Sequence, residues 1–391
     1  MAYPLSRLTQ VQEPPIAEAY GWIKGRSFAA DKPLIDVSQA VPGYPPPAEL
    51  TTWLAARLAE PTTARYTEIE GLPELRQALA DNVNQRYRGQ VTADDVLVTA
   101  GCNQAFCLSM LALAEPGDEV TLALPYYFNH LMWCQMQGIR TVHLPFRPDS
   151  GGFPDPADAA ARLTGRTRAI VLISPNNPTG AVYPPAVIEA FAQLAQERGI
   201  ALVIDETYRD FMDDDAPPHA LFQHPDWRDT LVHLYSFSKV FCLTGYRVGA
   251  VVCGRRLGRE IAKAMDTVAI CAPRVGQLAA LQGLRTLDTW QQGNRTLMAT
   301  RLHALQAAMA RPDIGYRIVS AGAYFAYVAH PFAGQSSATV ARRLADEQNL
   351  LCLPGSMFGD GQETYLRFAF ANVAAERMPA IAERLAADAR A

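Results

Sequence analysis

The order of apolar runs along this chain predicts an α/β fold. A three-layer α/β/α domain with a mostly parallel sheet should be followed by a smaller α+β C-terminal domain. Three observations carry that expectation. Between about residues 94 and 252, short β-rich runs alternate with helical stretches. Several of those runs are apolar on consecutive residues, as in strands buried on both faces. After about residue 266 the texture changes to long Ala-, Leu-, Gln- and Arg-rich helical segments with paired strands among them. Strand–helix alternation on this scale belongs to a layered sheet.

Each element follows in order. The first forty-odd residues, with Pro14-Pro15 and Pro45-Pro46-Pro47, read as an extended arm wrapping one or both domains. The strand runs are VLVT (96–99), EVTLAL (119–124), RTVHL (140–144), AIVLIS (169–174), ALVID (201–205), LVHLYS (231–236) and GAVVC (249–253). Helical patterns lie between them, such as 103–114 and 185–199, the second ending in a capping glycine. A helical region over 275–310 leads to paired strands within 314–330. A helix (337–349), a strand (365–369) and a terminal helix (373–390) complete the chain. The expected division is an arm with part of the small domain (1–45), a large domain (46–285) and a small domain (286–391).

Composition narrows the function. The 391 residues are 49% hydrophobic and 19% charged, ample for a large core. A net charge of −4 offers no electrostatic case for nucleic acid or an anionic membrane. No apolar run reaches the roughly 18–20 residues of a membrane span, and the N-terminus lacks the basic start and apolar block of a secretory signal. Seven cysteines without a C-x-x-C pair suggest free thiols in a reducing compartment. The seven histidines show no metal-ligand spacing and read as structural. The expectation is a cytoplasmic protein without metal.

Ligands of open α/β sheets bind outside the carboxyl ends of the strands, so the residues after each strand matter most. After 96–99 comes Ala100-Gly-Cys-Asn-Gln104, small residues opening a helix, where free N–H groups and the dipole favour an anion. After 119–124 comes Pro125-Tyr-Tyr-Phe128, able to stack on a flat ring. Ser174-Pro-Asn-Asn-Pro-Thr-Gly180 brings two amides, and Asp205-Glu-Thr-Tyr208 a carboxylate at a strand end. After 231–236, Tyr235-Ser-Phe-Ser-Lys239 places a lysine among apolar and hydroxyl residues, with Arg247 eight positions on. These are the groups that pyridoxal 5′-phosphate requires: donors and a cation for its phosphate, a stacking partner and a carboxylate for its ring, a lysine for its aldehyde.

The motifs resemble, in order, those of the class I/II aminotransferases of the fold-type I pyridoxal-phosphate family. They are YTEIEGLPELR (66–76), AGCNQA (100–105), SPNNPTG (174–180), DETY (205–208), SFSKVFCLTGYRVG (236–249) and YLRFAF (365–370). DVSQAVPGYPPP (36–47) is similar to the substrate-side segment of kynurenine/glutamine-type members. The resemblance implies that Lys239 forms the Schiff base and shuttles the substrate proton. It implies that Asp205 pairs with the pyridinium nitrogen, and that Tyr208 and Asn177 hydrogen-bond the ring oxygen. Gly101, Cys102, Asn103, Ser236, Ser238 and Arg247 would hold the phosphate. Tyr127 would stack on the ring, with Tyr126 as the fallback if the turn is offset by one. Arg367 would clamp the substrate α-carboxylate in a bidentate fork, with Asn177 and Ala40 beside it. Tyr66 would reach the phosphate of the neighbouring subunit of a homodimer.

Three departures from the family pattern stand out. Cys102 and Asn103 replace other small residues or a lysine. Ala40 replaces a common glycine, which its backbone tolerates if φ is negative. Arg274 is placed either to meet an acidic substrate side chain or to form a surface ion pair. Taken alone, Lys239 would read as a snorkelling lysine and Asp205 as a turn carboxylate; the surrounding motifs reverse both readings.

The implied activity is ping-pong transfer of an amino group from an L-amino acid to a 2-oxo acid. A pyridoxal-phosphate C–S β-lyase on the same scaffold is the alternative, separable by pyruvate release from S-substituted cysteine. An aminotransferase-like ligand sensor is the remote one, and the acidic chain leaves no room for a DNA-binding domain ahead of Pro33. Aromatic walls (Tyr20, Trp22, Tyr44, Tyr126, Phe358) would favour a neutral or aromatic donor, whereas Arg274 would favour a dicarboxylate.

Overall fold

The computed structural model describes residue 3 and residues 5–213 and 215–390. Residues 1, 2 and 4 of the expected arm and residue 391 of the expected small domain lie outside the described residues. The strands are β1 (Ile35–Asp36), β2 (Val96–Thr99), β3 (Glu119–Ala123), β4 (Arg140–Leu144), β5 (Thr167–Ile173), β6 (Ala201–Asp205), β7 (Leu231–Ser236), β8 (Gly249–Cys253), β9 (Arg317–Gly322), β10 (Phe325–Ala329), β11 (Leu350–Leu351), β12 (Leu353–Pro354) and β13 (Tyr365–Phe368).

Seven of them form one sheet in the order β2-β8-β7-β6-β5-β3-β4. Its pairings are parallel except at β8, which runs antiparallel to both β2 and β7. Every residue of β3, β6, β7 and β8 is buried. Helices therefore cover both faces, which is why these runs are apolar without alternation. Two large apolar clusters pack on the two faces, one around Leu79, Ile170, Phe191, Leu202 and Phe237, the other around Phe106, Leu122, Val171, Val203 and Val251. The helix Pro185–Arg198 shows the local logic. Proline stands at its first position, where the missing N–H costs nothing. Gly199, left-handed at φ 63°, ends it by donating to the carbonyls of Ala195 and Gln196.

The second sheet is antiparallel, in the order β12-β13-β10-β9. It packs on the helices Asp288–Met309, Ser337–Gln348 and Met378–Ala389 through Leu305, Val328, Leu344, Leu366 and Ile381. The single helical region expected over 275–310 is two helices, Arg274–Thr286 and Asp288–Met309, broken at Leu287. The terminal helix starts at Met378 rather than at 373.

The N-terminal segment differs from a purely extended arm. Pro14-Pro15 opens a helix, Pro15–Ile23, instead of prolonging an extended strap. Further on, β1 pairs in parallel with β11, and Val37 accepts from the Ala369 amide. That anchoring delivers Ser38, Gln39 and Ala40 to the carboxyl ends of the large sheet.

The two sheets meet closely at one place. Gly180, at φ 73°, ends the SPNNPTG turn against the β9–β10 hairpin, and a Cβ there would lie 2.4 Å from the Gly322 amide nitrogen. Both the left-handed backbone and this approach exclude a side chain. Gly180→Ala is expected to cost about 2 kcal/mol of stability or more. Thermal unfolding beside the parent protein checks this, and an unchanged Tm would mean that the two sheets are not held in this contact.

Candidate active site

The residues singled out at the strand ends converge on one cavity of about 390 Å³. Its lining includes Ala40, Cys102, Asn103, Tyr127, Asn177, Asp205, Tyr208, Ser236, Ser238, Lys239, Arg247 and Arg367. Those side chains come from the ends of β2, β3, β5, β6, β7 and from β13, stretches far apart in the chain.

The anion end is built by β2 and the helix Cys102–Leu113. Gly101 takes φ 87°, a value open to glycine, and turns the Cys102 N–H into the helix start. A Cβ on Gly101 would sit 2.3 Å from Arg247 Nη2, so the glycine also makes room for that guanidinium. Arg247 donates to the carbonyls of Thr244 (2.9 Å) and Ala100 (3.3 Å). Ser236 caps the short helix Phe237–Val240, accepting from the Ser238 N–H at 3.2 Å, and this helix carries Lys239.

Asp205 is buried at the last position of β6. Its Oδ1 accepts from the Thr207 N–H (3.0 Å) and hydroxyl (2.7 Å). Burial pushes its carboxyl above the usual range, and the bonds from Thr207 pull it back. Its Oδ2 lies 3.6 Å from His130 Nε2. His130 stacks on Phe106 at 3.8 Å between ring centroids, and burial lowers it to about 3, so the imidazole is neutral. The expectation that every histidine is purely structural is therefore corrected at His130, which flanks the site carboxylate. Nothing in its local sequence signals this. Among the described residues, no cluster of side chains fit to hold a metal occurs, and no helix is long and apolar enough to cross a membrane.

Lys239 donates its Nζ proton to the Ala40 carbonyl at 2.5 Å. Burial, with Arg367 and Arg247 nearby, lowers its pKa to about 8. Ala40 has no positive φ, so its methyl is accommodated without strain. Arg367 is 2% exposed. Its Nη1 donates to Asn177 Oδ1 at 2.9 Å and its Nη2 to the Ser38 carbonyl, while Nε has no partner. Phe325 and Phe358 flank the guanidinium, each with its ring centroid 5.0 Å away, and burial lowers it to about 10. Among the described residues, no carboxylate comes within ion-pair distance of Lys239, Arg247 or Arg367.

Tyr127, not Tyr126, faces the cavity. Its hydroxyl donates to Asn103 Oδ1 (3.4 Å) and accepts from Asn129 Nδ2 (3.0 Å). Tyr126 turns instead against His143. Tyr208 packs on Tyr324 and Phe325 at the cavity wall.

Tyr66, expected at the phosphate of a neighbouring subunit, is 70% exposed and lies outside the lining of this chain's own cavity. Several other expected placements differ. Among the described residues, Arg274 has no ion pair. It donates to the carbonyls of Arg65 and Tyr66, both at 3.0 Å, and so pins the loop carrying Tyr66. The aromatic wall is not built either. Tyr20 bonds Asp36, Tyr44 packs edge-on to Trp290, Trp22 lies against the small-domain cluster, and Phe358 lies fully buried under Arg367. The walls are instead Pro14, Ile16, Gln39, Val41, Phe128 and Asn129. Gln39 and Val41 fall in the marked segment 36–47, Phe128 in the marked turn 125–128 and Pro14 in the marked proline pair, whereas Ile16 and Asn129 lie in no quoted motif.

Residues 30–385 match the family model described as aminotransferase class I and II. The chain belongs to this family. It is a transaminase, and relatives along nearly its full length agree. The aromatic aminotransferase ISS1 of Arabidopsis thaliana is 28% identical over 94% of this chain and 96% of its own. An aspartate aminotransferase of Pyrococcus horikoshii is 27% identical over 81% of each chain. Among solved structures, the Thermus thermophilus aspartate aminotransferase with maleate superposes with a TM-score of 0.89 at 26% identity, covering 99% of this chain and 100% of that one. YbdL of Escherichia coli, described as having a methionine aminotransferase function, superposes at 0.88 with 25% identity, over 99% and 100%.

The lowered Lys239 value has a direct consequence. In the cofactor-free protein, acylation of Lys239, followed by peptide mass spectrometry, should rise with pH through a midpoint near 8. An ordinary lysine titrates near ~10.4, and a midpoint there would show that burial does not act on this amine.

Proposed function

We propose that this cavity holds pyridoxal 5′-phosphate and that the chain works as a cytoplasmic homodimer. In this reading it moves the amino group of an L-amino acid to a 2-oxo acid by a ping-pong cycle. The observation that carries the cofactor is the charge pattern. Among the described residues, three cations without a carboxylate partner surround a cavity whose only lining carboxylate is Asp205. Arg247 is exposed, but the half-buried Lys239 and the buried Arg367 are costly to leave unpaired unless a ligand compensates them. A phosphate near Arg247, a substrate carboxylate at Arg367 and a ring nitrogen at Asp205 would do so. The unpartnered Nε of Arg367 and the left-handed Gly101 beneath Arg247 fit the same ligand set.

When bound, the cofactor supplies an aldehyde that takes up the donor amine and a protonated ring that accepts the electron pair left on the α-carbon. The chain supplies the rest. The Cys102 and Asn103 amides at the helix start, with Ser236, Ser238 and Arg247, hold the phosphate. Asp205, kept in place by Thr207, would hold the ring-nitrogen proton. Tyr127 covers one ring face, while Tyr208 and Asn177 serve the ring oxygen. Arg367, braced by Asn177 and the Ser38 carbonyl, orients the substrate carboxylate, with the Ala40 backbone alongside. Lys239 Nζ, neutral above about pH 8, would carry the donor α-proton across to the cofactor's aldehyde carbon and, in the second half-turnover, carry a proton the other way. The exposed Tyr66, on a loop pinned by Arg274, is available to a partner subunit's phosphate site.

The relatives' names divide among aspartate, aromatic amino acids and methionine, so no single donor carries over. Lys239→Ala should still bind the cofactor, seen by its absorption after gel filtration, yet lose turnover by about 10³-fold or more. Arg367→Lys should keep the charge, lose the fork and lower kcat/KM by roughly 10²-fold. Normal transamination by the Lys239 variant would remove that residue from the mechanism.

A further inference from the structure

Resting on the transaminase reading above, we infer that Asp36 is a positioning residue for the substrate carboxylate, acting on Arg367 through Ser38. Tyr20, Asp36, Ser38 and Arg367 form one line of hydrogen bonds from the helix Pro15–Ile23 to the cavity. The Tyr20 hydroxyl donates to Asp36 Oδ2 at 2.7 Å. Asp36 Oδ1 accepts from the Ser38 N–H at 2.8 Å and from its hydroxyl at 2.6 Å. The Ser38 carbonyl in turn accepts from Arg367 Nη2. Every link is a bond formed within one chain.

Ser38 is buried between opposite charges, with an anion at its amide and hydroxyl and a cation at its carbonyl. Among the described residues, Arg367 has two acceptors, that carbonyl and Asn177 Oδ1 at 2.9 Å. Where the carbonyl stands therefore decides how the guanidinium points its remaining N–H groups, the unpartnered Nε among them. The residues on either side of Ser38 are held by other means. The Ala369 N–H donates to the Val37 carbonyl at 2.8 Å. Asn372 accepts from the Val41 N–H at 3.0 Å and donates to the carbonyls of Asp36 and Gln39. Ser38 itself is fixed through Asp36.

An aspartate bonding the amide two residues on is a common local turn, and by that bond alone Asp36 would do no more than end β1. Two features go further. The second carboxylate oxygen is held by Tyr20, sixteen positions away, which fixes the rotation of the carboxylate. The residue it turns then presents its carbonyl to a buried cation. Burial lowers the Arg367 guanidinium to about 10, and the Asp36 charge is among the groups that oppose this shift. Without Asp36 the Ser38 peptide is free to rotate, Nη2 loses its acceptor, and the planar fork tilts away from a bidentate contact. Because Arg367 would grip the carboxylate and not the reacting carbon, the loss falls on substrate binding more than on chemistry.

The test compares the cofactor-loaded parent with Asp36→Ala and Asp36→Asn. The half-reaction with methionine, phenylalanine and aspartate is followed by loss of the cofactor's absorption band, and the donor that converts fastest is used. Asp36→Ala is expected to raise the half-saturating donor concentration about tenfold or more. The maximal rate should stay within about twofold, and the absorption maximum before donor is added should not move. Asp36→Asn keeps an acceptor for Ser38 and should return to within about threefold of the parent. Independently of turnover, phenylglyoxal labelling of Arg367, read by peptide mass spectrometry, should be about fivefold faster in Asp36→Ala. If Asp36→Ala does not fold, Ser38→Ala, which deletes only the hydroxyl bond, takes its place with about threefold expected in both readings. A fall in maximal rate alone, no recovery in Asp36→Asn, or unchanged saturation and labelling overturns the inference. If none of the three donors converts the cofactor in the parent, the transaminase reading fails, while the labelling still decides the link from Asp36 to Arg367.

Discussion

Arg367 is the point on which this structure turns. Its guanidinium is buried, has no carboxylate within reach, and is satisfied only in part by the Asn177 side chain and the Ser38 carbonyl. Those three residues belong to β13, to the turn after β5 and to the segment after β1. One charge thus gathers the small sheet, the large sheet and the N-terminal strap around the cavity mouth. A guanidinium tolerates such a site because its charge is delocalised and its faces can rest on Phe325 and Phe358. In the proposed reading, a substrate carboxylate would bring the compensation it lacks.

The same economy runs through the rest of the cavity. Lys239 is held at a carbonyl rather than at a carboxylate, and burial keeps its proton loosely bound. Asp205 faces the opposite problem: a buried anion steadied by the Thr207 amide and hydroxyl. Charges set apart in this way suit a ligand with complementary charges at both ends. Between them the lining is apolar at Pro14, Ile16 and Val41.

Much of the site was legible because its chemistry sits where strands end. Lys239, Asp205, Asn177, Gly101 and Arg247 lie within short turns whose residue types are dictated by local backbone needs and by the groups they present. Tyr127 and Tyr126 could not be separated in the same way. Adjacent residues differ only in direction, and that direction is set by packing of Tyr126 on His143. His130 escaped because its place beside Asp205 depends on the stack with Phe106, two residues from different helices. The aromatic wall failed for a related reason. Tyr44 and Phe358 are large apolar groups in marked segments, but each buries more surface in the core than it would at the cavity rim.

By itself, the sequence determined the strand–helix alternation, the sheet and the turns that carry lysine, carboxylate, amide and arginine, since these follow from periodicity and from backbone chemistry over a few residues. Only the tertiary structure decided which side chains meet. It turned Pro14-Pro15 into the start of a helix, brought Ile16 and Val41 against the cavity, tied Arg274 to a loop, and left three cations unpaired around one carboxylate. Such contacts join residues hundreds of positions apart, and their geometry is fixed by how the two sheets and the N-terminal strap pack rather than by any local pattern.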